Sequence, residues 1–138
     1  MNDNKITVET RINKPMDEVW EKWTKTEHIT KWNQASDDWH CPTAENDLRP
    51  GGTFTCRMAA RDGSSGFDFG GTYDEVVLGE CITYTKGDKR QVEVIFKEED
   101  GKVLLTEHFD AEEIMPREVQ RSGWQAILNN FKAYVEES

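Results

Sequence analysis

The sequence predicts an α+β fold in which a curved antiparallel sheet wraps a long C-terminal helix, with two short helices after the first strand. Three observations lead there. Lys5 to Asn13 alternates with a period of two, the stretch from about Asp38 to Phe109 does so again between regular turn signals, and the chain after Pro116 keeps a helical period to its end. A length of 138 residues suits one domain, taken as residues 1–138.

In the first strand Ile6, Val8, Thr10 and Ile12 share one face, and Thr7, Glu9 and Arg11 the other. Pro15 suits a helix start, and Asp17 and Glu18 sit well against the N-terminal dipole. Met16, Val19, Trp20 and Trp23 then form an apolar helical stripe. A second short helix opens at Thr26 and carries Ile29 and Trp32. Pro50-Gly51-Gly52 marks a turn, after which Phe54, Cys56, Met58 and Ala60 alternate on one strand face. The segment Asp62 to Gly66 turns again, and Phe67, Phe69, Gly71 and Tyr73 continue on a strand towards Val77. Gly79 breaks it, Ile82 and Tyr84 mark the next strand, and Lys86-Gly87-Asp88 turns. Val92, Val94 and Phe96 follow, then the turn Glu99-Asp100-Gly101, then Val103, Leu105, Glu107 and Phe109. Interior Gly70 and Gly71 suggest a bulge or bend that curves the sheet. In the last helix Gln120, Trp124, Ile127, Leu128, Phe131, Tyr134 and Val135 recur at three- and four-residue steps. Gly123 inside that helix is expected to let its backbone approach the sheet closely.

Composition narrows the function. Aliphatic residues are sparse, but 5 Trp, 3 Tyr and 6 Phe supply large buried areas, so the core should be unusually aromatic. There are 17 basic and 27 acidic residues, a net charge of −10. A surface of that sign repels phosphate backbones and anionic lipid, which argues against nucleic-acid and membrane partners and favours a monomer or weak dimer. The segment Met1 to Lys5 lacks the basic and then apolar layout of a secretory signal, so a cytoplasmic location is expected. Cys41, Cys56 and Cys81 are separated in sequence and read as small buried hydrophobes. His28, His40 and His108 are equally scattered, so neither a metal site nor a cofactor is expected.

A strongly curved sheet cannot be filled by one helix. The remaining space should be an apolar pocket with few polar groups, as small-molecule sites are. Asp37-Asp38 with His40 reads as a solvated loop rather than an acid–base pair. Glu107 alternates with Val103, Leu105 and Phe109, so its carboxyl can point inward; the alternative is a strand-end position or pairing with an arginine such as Arg57. No nucleophilic triad order or phosphate-cradling loop occurs, so no catalytic residue is assigned.

Four stretches carry a resemblance: PMDEVWEKW at Pro15–Trp23, DLRPGGTF at Asp47–Phe54, GTYDEV at Gly71–Val76 with Ile82-Thr83-Tyr84-Thr85, and GWQAILNNF at Gly123–Phe131. In this order they resemble the START-like (SRPBCC) superfamily, and within it the subfamily related to the activator of heat-shock protein 90 ATPase. The resemblance implies the helix-grip fold of START and Bet v-like proteins, with a cavity between sheet and helix. Relatives bind lipids, hormones, polyketides or aromatic compounds, and some are cyclases or aromatic-ring oxygenase subunits. The eukaryotic activator has an additional N-terminal domain that contributes to chaperone binding; this sequence starts at the first strand, so a chaperone partner is not expected.

The cavity-lining candidates are Trp32, Trp39, Phe54, Met58, Phe67, Phe69, Tyr73, Tyr84, Phe96, Glu107, Trp124, Leu128 and Phe131. The leading expectation is non-catalytic binding of a small hydrophobic or aromatic ligand. A cyclase- or dehydratase-type enzyme using the same cavity is the alternative, and a co-chaperone-like interaction module is the second alternative.

Overall fold

The first alternating segment forms strand β1 (Lys5–Ile12), followed by helices α1 (Met16–Thr24) and α2 (Thr26–Trp32). The computed structural model describes residues 5–34, 38–87, 89–112 and 115–137. Two short strands, β2 (Trp39–His40) and β3 (Ala44–Asn46), precede the meander β4 (Thr53–Ala60), β5 (Gly66–Val77), β6 (Cys81–Lys86), β7 (Gln91–Glu99) and β8 (Lys102–Asp110). Helix α3 (Arg117–Glu136) ends the fold. Its 20 residues extend about 30 Å. Pro15 and Pro116 stand just outside their helices as N-caps.

Every pairing is antiparallel, in the order β1-β8-β7-β6-β5-β4-β2, with β3 also on β4. The register carries one inner row across the sheet through Ile6, Phe109, Val92, Tyr84 and Tyr73. The next row runs Val8, Glu107, Val94, Ile82 and Val76. Residues opposite each other in a ladder share a face, so the expected alternation places these side chains inward. The tight β7–β8 turn is made by Asp100 and Gly101, both at positive φ (54° and 78°), the geometry that matches strand twist. Of the turn expected at Lys86-Gly87-Asp88, Asp88 lies outside the described residues.

Two glycine expectations need correction. The register shift in β5 falls between Tyr73 and Glu75, not at Gly70-Gly71. Those glycines serve close backbone approach instead: a Cβ on Gly70 would stand 2.2 Å from the Phe54 carbonyl oxygen, and one on Gly71 2.6 Å from that of Thr85. Gly123 is the opposite case. A Cβ there would meet nothing within 4 Å, because this part of α3 stands off the sheet over open space.

The C-terminal half of α3 closes the other end. Leu128, Phe131 and Val135 are fully buried. Phe131 meets Trp23 and Trp32 edge-on, with ring centroids 4.9 and 4.8 Å away. The rings of Trp23 and Trp32 stack at 4.8 Å, and the Trp32 indole N–H donates to the Lys22 carbonyl at 2.9 Å. Thus α1 and α2 plug one end of the grip and leave the other end hollow. No described helix is long and apolar enough to cross a membrane.

Candidate functional site: an aromatic cavity

The hollow is a cavity of about 680 Å³ between the concave sheet face and the N-terminal half of α3. This lies within the range of small-molecule pockets. Trp32, Trp39, Phe54, Met58, Phe67, Phe69, Tyr73, Tyr84, Glu107 and Trp124 line it. Phe96, Leu128 and Phe131 do not, contrary to expectation. Phe96 packs edge-on against Trp20 at 5.0 Å, and Leu128 and Phe131 belong to the plugged end. Helical spacing puts Trp124, Leu128 and Phe131 on one face, but that face passes from open cavity to filled core within two turns.

The aromatic walls brace one another. Phe54 meets Tyr84 edge-on at 4.8 Å and lies 5.2 Å from Tyr73, while Phe69 meets Trp124 edge-on at 6.1 Å. The Tyr73 hydroxyl donates to Asn46 Oδ1 at 2.5 Å, and Asn46 Nδ2 donates to the Thr24 carbonyl at 2.6 Å. This chain fixes the cavity floor to α1. Phe67, Met115 and Val119 line the cavity yet are exposed, so they rim its mouth. Lys86 sits 5.1 Å from the centre of the Phe69 ring, and Arg90 pairs with Glu112 at 3.1 Å. The Gln120 amide holds the segment before α3. Its oxygen accepts from the Glu112 N–H at 2.9 Å, and its nitrogen donates to the carbonyls of Glu112 and Met115 at 3.1 and 2.6 Å.

Glu107 is the chemical exception in this wall. It is 4 % exposed, lines the cavity, and lies between Val8 and Val94 in its row. Burial alone pushes its carboxyl up to about 8. Arg57, the suggested partner, instead pairs with Asp68 at 3.3 Å on exposed surface. Burial also holds the Tyr84 hydroxyl well above its ordinary value, with the Glu107 carboxyl adding to it. The cysteines that lie apart in sequence are partly reunited: Cys41 and Cys56, both buried, share a side-chain hydrogen bond. That bond and burial push the Cys56 thiol up, and the bond pulls Cys41 down.

Among the lining residues that sequence reasoning missed are Trp23, Asn33, Cys56, Ile82, Val92, Phe109 and Ile127. Strand alternation alone places Cys56, Ile82, Val92 and Phe109 beside the chosen ones; Asn33, at the end of α2, carries no such signal. Of the Asp37-Asp38 and His40 group, Asp37 lies outside the described residues and Asp38 is exposed. No group of three or more His, Cys, Asp or Glu among the described residues stands together as a metal site requires.

The profile of the family described as "Activator of Hsp90 ATPase homolog 1-like protein" matches residues 13–136. The solution structure of the AHSA1-like protein from Aeromonas hydrophila is 43% identical, with a TM-score of 0.91 over 96% of this chain and 92% of that one. A solution structure from Cytophaga hutchinsonii is 53% identical, with a TM-score of 0.85 over 97% and 93%. A crystal structure from Chromobacterium violaceum, 26% identical, has a TM-score of 0.84 over 96% and 97%. No curated protein is significantly similar to the chain. The family match and the Aeromonas relative overturn the expectation that sets a chaperone partner aside, which rested only on where the sequence begins. With its curved antiparallel sheet gripping a long C-terminal helix, the chain belongs to the activator of Hsp90 ATPase homolog 1-like family, within the START-like (SRPBCC) superfamily.

Proposed function

We propose that the chain binds one small apolar or aromatic molecule between the sheet and α3, without turning it over. The observation that carries this reading is the cavity of about 680 Å³ walled by aromatic rings. Rigid rings offer a planar ligand stacking and edge contacts at little entropic cost. The test is titration with an apolar fluorescent probe such as anilinonaphthalene sulfonate, followed by emission and by native mass spectrometry. One probe per chain is expected, with loss of binding in a folded Phe69→Arg variant. A native protein that takes up no probe overturns the reading, and conversion of a bound compound to product would favour a cyclase- or dehydratase-type enzyme instead.

The comparisons speak more directly for a second reading, in which the domain contacts an Hsp90-type chaperone. Its support is the family description, matched over residues 13–136, together with the AHSA1-like relative at 43% identity. On this reading, adding the protein to a purified Hsp90 raises the chaperone's ATP turnover. A rate that stays flat at saturating protein counts against it, whatever the probe does. The cavity and the outer surface are separate faces, so both activities can coexist.

A further inference from the structure

We propose that Glu107 is the recognition group of the cavity, its carboxyl O–H donating one hydrogen bond to the carbonyl oxygen of a neutral aromatic ketone. This inference rests on the ligand-binding reading above and specifies the ligand class.

The geometry points to Glu107 for three reasons. Its side chain is 4 % exposed and lines the cavity, so what it can still bind must come from that space. Among the described residues no hydrogen bond or ion pair reaches the carboxyl, and its row neighbours Val8, Val94 and Ile82 offer none. A polar group held in an apolar wall without a protein partner is costly to the fold. That cost is tolerated most readily where function uses the group. Finally, the rings of Tyr84, Phe109 and Trp124 share this cavity, so a planar ligand can stack while its polar atom faces the acid.

Burial, rather than any neighbouring charge, favours the acid over the carboxylate as the binding form. Tyr84, Tyr73 and Cys56, on β6, β5 and β4, are the titratable cavity-lining groups farther across the sheet. From β1 and β7 it is faced by Val8, Val92 and Val94, and α1 and α2 contribute Trp23, Ile29, Trp32 and Asn33 to the cavity. Helix α3 contributes Gln120, whose amide is engaged with Glu112 and Met115. The remaining charged lining groups are Lys86, Arg90, Asp110 and Glu112, and none contributes to the Glu107 shift, which comes from burial alone. A neutral carboxyl donates through O–H, and a ketone can only accept.

Three probes of one skeleton test this: fluorene, 9-fluorenone and 9-aminofluorene, titrated by tryptophan quenching at pH 6.5 and 9.5. The expected result is about fivefold to tenfold tighter binding of fluorenone than fluorene at pH 6.5, one net hydrogen bond's worth. That preference should collapse at pH 9.5. Glu107→Gln, which keeps an N–H donor, should retain a preference at both pH values, and Glu107→Leu should abolish it. Equal binding of fluorene and fluorenone, or a preference that survives Glu107→Leu, overturns the inference while leaving ligand binding intact. Tightest binding of 9-aminofluorene, lost in Glu107→Gln, overturns it in favour of a carboxylate that selects amines. Binding of none of the three, nor of the naphthalene probe, removes the ligand-binding reading itself and this inference with it.

Discussion

The indole of Trp124 lies flat on the ring of Phe109, with centroids 3.9 Å apart and planes 11° from parallel. This stack joins α3 to β8 across the hollow end, where the Trp124 indole also lines the cavity. By contrast, Phe131 is wholly buried at the plugged end. Truncation should separate the two. Phe131→Ala is expected to cost about 3–5 kcal/mol, and Trp124→Ala only about 2, because cavity-facing atoms have fewer contacts to lose. Urea unfolding measures both; equal costs would mean that the helix is packed alike along its length.

A second prediction concerns pH. The folded Glu107 carboxyl sits at about 8 against an ordinary 4.5, so the fold favours its acid form. Its contribution to stability is complete below about pH 4.5, declines as the unfolded chain ionises above that, and is gone once pH passes about 8. Glu107→Gln removes the proton and keeps the shape. The melting temperature of the variant minus that of the parent should therefore climb from about pH 5 to about pH 8 and level off. A difference that stays constant across this range would contradict a carboxyl that is buried and, among the described residues, unpartnered.

Two glycines should respond oppositely to alanine. Gly123 has free space where a Cβ would go, so Gly123→Ala should stabilise by about 0.5–1 kcal/mol through helix propensity alone. At Gly70 the same atom would press on the Phe54 carbonyl oxygen, and Gly70→Ala should cost about 2–3 kcal/mol. Thermal melts of both variants check the pair, and the same sign in both would refute the contrast. Gly123→Leu should additionally reduce probe uptake by filling the cavity from the helix side.

Asn46 links the Tyr73 hydroxyl to the Thr24 carbonyl. Asn46→Ala should cost about 1–3 kcal/mol, since it strands a tyrosine hydroxyl on the cavity floor. If loss of the Asn46 amide matters only through Tyr73, adding Tyr73→Phe should recover part of that cost. Denaturation of the single and double variants decides, and strict additivity would mean the two side chains act independently.

The element order was readable because each segment's hydrophobic period agrees with its final state: two for Ile6, Val8 and Ile12, and three to four for Leu128, Phe131 and Val135. The same alternation placed Glu107 inward beside Leu105 and Phe109. Which end of the grip would be hollow was not readable. That depends on Trp23 and Trp32 arriving from α1 and α2 to cover Phe131, a contact between segments about 100 residues apart that leaves no periodic trace. The bulge expected at Gly70-Gly71 was misplaced for a related reason. A glycine marks special backbone geometry, but only the neighbouring strands decide between a bulge and a close approach.

The pairing of β1 with β8 also sets an order of events. Lys5 lies opposite Asp110, so the first strand made is among the last to be sealed, whereas β4 to β8 each find a partner next in sequence. On a ribosome adding about 5–20 residues per second, the N-terminal strand waits roughly 5–20 s for its mate. During that interval Ile6, Val8 and Ile12 lack their eventual cover. Refolding should accordingly be governed by this late, long-range closure, with the neighbouring hairpins formed beforehand.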